Sequence, residues 1–150
     1  MISYATPDLT QHPPRSPRVQ LGGYIVLPRI IDKARAHAAG KTGEFKYNNP
    51  LDKRLFTFAG IDADAFLAAA KSGLSDTEML AWFNQNSANK RTDFEIATWS
   101  NWLLNLPPGD AVRHQMAADL IKEKAPGRED IRTLFDRLDL DDYLTFGGRP

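Results

Sequence analysis

A chain of 150 residues and 16.8 kDa is the size of one domain, long enough to hide about 68–70% of its unfolded surface without a covalent staple. The absence of cysteine excludes disulfides, thiolate metal ligands and a cysteine nucleophile, and fits a reducing cytosol. Nineteen basic and nineteen acidic side chains cancel, which argues against a general polyanion binder such as a nucleic-acid protein. The longest apolar run, Ala65 to Ala70, falls far short of the ~20 residues of a membrane span, and the proline-bearing start has no apolar signal core. A cytoplasmic protein with no membrane partner is therefore expected.

Pro13, Pro14 and Pro17, with Arg15 and Arg18 among them, fix several φ angles and remove amide donors, so Asp8 to Gln20 is expected to run extended or polyproline-like. Residues 1–23 then form a Pro/Arg-rich arm ending in the Gly22-Gly23 turn, and 24–150 a helical body, the whole being one domain. Leu27, Ile30, Ile31, Ala34 and Ala38 recur at the spacing of one helical face, Pro28 is allowed only in its first turn, and Gly40 stops it. Gly22 to Val26 reads as a turn or kinked lead-in. Asn49-Pro50 caps a short helix through Leu51, Leu55, Phe56 and Phe58 to Gly60, and Asp62 caps the alanine-rich stretch that follows. Ser75 with Glu78, and Thr92 with Glu95, match the capping box, so two further helices begin there.

After Pro107, Pro108 and Gly109, Asp110 caps a helix whose Val112, Met116, Ala117, Leu120 and Ile121 form an apolar stripe. Ile131, Leu134, Phe135 and Leu138 define a last helix, and Leu140 to Phe146 a tail docked on the core. Six or seven helices without a period-two strand or an internal repeat give an all-α fold, a compact multi-helix domain.

Net zero hides a division. Residues 1 to 54 hold nine basic against four acidic side chains, for +5; residues 55 to 150 hold ten against fifteen, for −5. Arg29, Lys33 and His37 are four apart, one flank of the first long helix. Either the two unlike surfaces fold onto each other, or the arm, the glycine pair and this helix make a positive concavity that receives an anion.

Little else offers chemistry. His12, His37 and His114 stand far apart without a ligand motif, so no metal is expected, and Asp139, Asp141 and Asp142 lack the glycine and further oxygens of a calcium loop. No cofactor motif is present. Serine chemistry lacks its strand-turn-helix elbow. Asp32, Tyr24, Tyr47 and Asp52 could converge for proton transfer, although partial burial of the tyrosines and a local Asp32–Arg35 pair account for them more simply. Trp82, Trp99 and Trp102, with Phe83 and Phe94, read as core at helical spacing, since they lie in the acidic two-thirds, away from the cations a nucleic-acid platform interleaves.

One set of strings is distinctive: His12-Pro13-Pro14-Arg15-Ser16-Pro17-Arg18, Leu21-Gly22-Gly23-Tyr24, Leu27-Pro28-Arg29, Asp32-Lys33-Ala34-Arg35, Tyr47-Asn48, Pro50-Leu51-Asp52 and Phe58-Ala59-Gly60-Ile61-Asp62. In this order they resemble the bacterial family catalogued as domain of unknown function 5069, most specifically in the first sixty residues and more loosely over nearly the whole chain. The resemblance implies the same helical fold and assigns no activity, so it transfers no catalytic residue; its strings coincide with the positive third. The expectation is a binding domain for a small anionic ligand or an acidic protein surface, using Arg15, Arg18, Tyr24, Arg29, Asp32, Lys33, Tyr47 and Asp52. The alternatives are an enzyme of acid–base chemistry on a carboxylate or phosphate in that region, and a homo-oligomer joined by its unlike charges.

Overall fold

The computed structural model describes residues 1–149. Its centre is α1 (Leu27–Ala38), where Leu27, Ile30, Ile31 and Ala34 are fully buried. Removing each large aliphatic from water contributes about 1.5–3 kcal/mol, so this one face anchors the core. Around it come α2 (Pro50–Ala59), α3 (Ala63–Lys71), α4 (Asp76–Asn86) and α5 (Asp93–Leu104), followed by α6 (Ala111–Lys124) and α7 (Leu134–Thr145). The chain is all-α, with seven helices among the described residues. The small Ala69 and Ala70 let α3 lie close on α1, and Phe66, Phe83 and Phe56 fill the space between the helices in edge-to-face and tilted contacts. No helix among the described residues is long and apolar enough to cross a membrane.

Each expected cap is made: Asn49, Asp62, Ser75, Thr92 and Asp110 accept from the amide three residues on, and the boxes at Ser75/Glu78 and Thr92/Glu95 are closed in both directions. A third box, Thr133 with Asp136, starts α7. That helix runs through Leu140 to Thr145, so the expected docked tail is its second half, and Asp139, Asp141 and Asp142 are helical residues.

Two expectations about the N-terminal segment change. Gly22 and Gly23 turn a minimal antiparallel hairpin, β1 (Gln20–Leu21) with β2 (Tyr24–Ile25), in which Leu21 faces Tyr24. Both glycines have positive φ, 59° and 82°, as a two-residue type I′ turn requires. Strands of two residues are too short to show a period. Ser100 of α5 ties this hairpin down: its hydroxyl donates to the Gly23 carbonyl (2.7 Å) and accepts from the Ile25 amide (3.2 Å). Upstream, the arm is not continuously extended, because the Asp8 carboxylate and carbonyl take the amides of Thr10, Gln11 and His12 and fold a turn there. Leu9, Pro14 and Pro17 are buried, so the arm is sewn onto α1. Val26, buried at φ 74°, makes the sharp entry into α1 and is held by its amide on the Pro17 carbonyl (3.1 Å).

Aromatic and apolar burial is less complete than the spacing suggests. Ile96, Ser100 and Leu103 take the inward face of α5, which leaves Trp99 half-buried, Trp102 48% exposed and Phe94 79% exposed. On α6 only Ala117 is buried, while Val112 and Met116 face outward.

Candidate functional site

Every cation expected to meet a ligand meets a carboxylate of its own chain. Arg15 grips Asp32 with Nε (3.0 Å) and Nη2 (2.9 Å), adds its backbone amide to the same carboxylate (2.8 Å), and reaches Asp76 at the start of α4 (2.6 Å). Arg35 bonds the other oxygen of Asp76 (3.0 Å) and the Leu74 carbonyl (2.9 Å). Arg18 holds Asp136 and Asp139 of α7, Arg29 holds Asp142 (2.7 Å), and Lys33 holds Asp52 of α2 (2.6 Å). The expected Asp32–Arg35 pair is thus replaced by longer-range partners. The structure brings Arg15 to Asp32 and Lys33 to Asp52, turns Arg18 to Asp136 and Asp139, and packs Tyr24 against Phe83.

The electrostatics follow from this burial. Desolvation holds the Asp32, Asp52 and Asp142 carboxyls above the usual carboxylate range although a cation faces each, and it lowers the Lys33 ammonium. For Asp76 burial pushes upward too, but the guanidinium bonds of Arg15 and Arg35 outweigh it and keep this carboxyl low. Tyr24 packs edge-on against Phe83, and burial raises its hydroxyl. The Tyr47 hydroxyl donates to the Ala63 carbonyl (2.6 Å) and is raised by burial and then by the negative Asp52. None of Asp32, Tyr24, Tyr47 and His37 lines the cavities over the hairpin, at the start of α2 or along α7.

The cavity with binding chemistry lies elsewhere, between the first turn of α2, the 106–109 loop, the start of α6 and one face of α7. It has a volume of about 320 Å³. Leu51, Leu106, Leu134 and Leu138 give it an apolar floor, and Arg29, Arg54, Arg113 and Arg137 its charged groups. No acidic residue lines it. Arg29 is balanced by Asp142 and Arg113 by Asp110, whereas Arg54 and Arg137 have no carboxylate within 4.0 Å among the described residues. The positive end of the α2 dipole, at Asn49 to Leu51, faces the same space. By contrast, the larger cavity over the hairpin, about 390 Å³, has Asp93 as its only charged lining residue.

Of the residues expected from sequence, only Arg29 lines this cavity. Arg54 belongs to the positive third but carries no local signal of a site, and Arg113 and Arg137 come from the acidic part. Convergence of four arginines from four separated segments has no signature in spacing. No group of three or more histidines, aspartates and glutamates placed to hold a metal ion occurs among the described residues.

Fold and cavity together define an all-α protein with an arginine-lined surface pocket. Residues 11–144 match the family model described as Domain of unknown function (DUF5069), and the chain belongs to that family. No curated protein matches the chain.

Proposed function

We propose that this protein binds a small anion, a phosphate or a carboxylate, in the cavity between α2 and α7. One observation carries the reading: Arg54 and Arg137 line a leucine-floored cavity that contains no acid, and neither has a carboxylate partner within 4.0 Å among the described residues. A guanidinium offers a planar pair of donors that fits a carboxylate or phosphate edge, and the apolar floor strengthens such bonds by excluding water. Arg29 joins them from the expected set. Arg15, Arg18 and Lys33 support the pocket as scaffold, fixing the arm, α2 and α7 on α1.

Thermal unfolding with inorganic pyrophosphate, phosphate and citrate tests this. An anion at a hundred times its Kd stabilises by about 2.7 kcal/mol, which for a chain of this size is a rise of roughly 5–10 °C in Tm. Arg54→Ala and Arg137→Ala abolish the rise, and Arg128→Ala, whose pair with Asp130 lies away from the cavity, retains it. No rise with any of the three anions, or a rise that survives both cavity substitutions, refutes the proposal.

A further inference from the structure

The Arg54 side chain is a wall between two features. On one side it lines the arginine cavity; on the other its guanidinium carbon lies 5.8 Å from the centroid of the Trp102 ring. Pro50 and Arg54 line both the cavity and a shallow shelf that holds Lys53, Phe58, Trp99 and Trp102. The shelf is made of aromatic faces. Phe58 and Trp99 are stacked, with centroids 4.8 Å apart and planes 11° from parallel. Arg91 covers Phe58 at 4.5 Å, and Trp102 stands 48% exposed. Lys53, Arg54 and Arg91 are without carboxylate partners within 4.0 Å among the described residues.

An inorganic anion or a small carboxylate uses the arginines and leaves the shelf idle. A ligand with a phosphate at one end and a flat π-system at the other uses both, because aromatic side chains stack on any base face and a guanidinium beside them adds attraction to the same ring. We infer that the ligand is a free nucleoside phosphate, its phosphates among Arg54, Arg113 and Arg137 and its base on the Trp99–Trp102 shelf. This rests on the anion-site reading above. A nucleic-acid strand fits less well: it needs a cationic track along its whole backbone, whereas this chain has no net charge and nine of its cations are already paired with carboxylates of the same chain.

The experiment is titration calorimetry on the full chain in magnesium-free buffer, with pyrophosphate, adenosine 5′-diphosphate and hexa-adenylate as probes, and tryptophan fluorescence recorded in parallel. The diphosphate is expected to bind about tenfold more tightly than pyrophosphate, the size of one base–aromatic stack, and to quench the indole emission. Trp102→Ala removes an exposed side chain; it should erase that tenfold preference, so that the diphosphate and pyrophosphate bind alike. Arg137→Ala should weaken both probes. If pyrophosphate and the diphosphate both fail to bind, the anion site itself is wrong. If pyrophosphate binds and the diphosphate is no tighter, or its preference survives Trp102→Ala, the nucleotide inference falls and the anion site stands. Hexa-adenylate binding more tightly than the diphosphate overturns the free nucleotide in favour of a strand.

Discussion

Replacing Lys33 by methionine isolates the most deeply buried cation among the described residues. Lys33 and Asp52 are 1% and 0% exposed and 2.6 Å apart. The ammonium also donates to the Lys46 carbonyl (3.2 Å), and the second oxygen of Asp52 accepts the Asn48 amide (2.9 Å), so no polar atom of the pair is idle. Methionine keeps the volume but leaves a carboxylate buried without its cation, a change that costs about 3–5 kcal/mol out of a total stability of about 5–15 kcal/mol. Urea unfolding followed by tryptophan fluorescence reads the loss as a lower midpoint at unchanged slope. Asp52, already raised by burial, rises further without Lys33, so the folded variant binds a proton that the unfolded chain has released. Stability of Lys33→Met therefore falls as pH rises from the unfolded value of about 3.8 through the raised folded value, and the deficit against wild type is largest at neutral pH. Adding Asp52→Leu removes the stranded charge and should restore part of the loss, short of wild type by the about 1–3 kcal/mol of an orphaned Asn48 amide. A loss below about 1 kcal/mol for Lys33→Met at neutral pH, or a double variant no better than the weaker single one, refutes the buried pair as a structural tie between α1 and α2.

Two further substitutions probe other parts of the frame. Asp76→Asn removes the carboxylate shared by Arg15 and Arg35, and because Asp76 is about one-third exposed the loss should be about 1 kcal/mol; since its folded value is depressed, the penalty is full above the unfolded value of about 3.8 and shrinks as pH falls through the folded one, which thermal melts across the acid range would show and a pH-independent penalty would contradict. Gly22→Ala meets both a positive φ of 59° and the Leu80 side chain, which the new Cβ overlaps, whereas Gly40→Ala meets only its φ of 68° in open space; the first should lose about 1–3 kcal/mol more than the second, and equal losses by urea titration would show that the hairpin turn does not press on α4.

The parts of the fold written in short-range chemistry were legible. A cap needs one side chain and an amide three residues on, so Asn49, Asp62, Ser75, Thr92 and Asp110 announce their helices unaided. Thr133 escapes because its box closes with Asp136 in place of Glu or Gln. The hairpin escapes because four strand residues carry no period, although the paired glycines at 22 and 23 mark its turn. On α6, periodicity shows that Val112 and Met116 share a stripe and says nothing about what covers it; the fold leaves them exposed. The partners of the cations lie 17 residues away for Arg15–Asp32, 19 for Lys33–Asp52, 113 for Arg29–Asp142 and 118 for Arg18–Asp136. Only the segregation of sign along the chain hinted that such pairs exist.

That segregation explains how the candidate site comes to be positive in a chain of zero net charge. Asp136, Asp139 and Asp142 are three apart on α7 and form a ridge, which Arg18 takes at its first two positions and Arg29 at the third. Ser16 adds a bond to Asp139 (2.7 Å). Docking this ridge on the arm and α1 turns another face of the same helix, with Leu134, Arg137 and Leu138 at three- and four-residue spacing, toward the first turn of α2. Three of the four acids of α7 are taken up against the basic third, and its arginine is delivered to a wall where Arg54 waits and no acid remains. Neutralisation inside the molecule is thus the cause of the local excess: each carboxylate drawn to Arg18 or Arg29 is one fewer able to face Arg137. Asp139→Asn and Asp142→Asn should therefore loosen α7 and weaken anion binding together, while Asp130→Asn, whose carboxylate pairs with exposed Arg128 away from the cavity, should change neither.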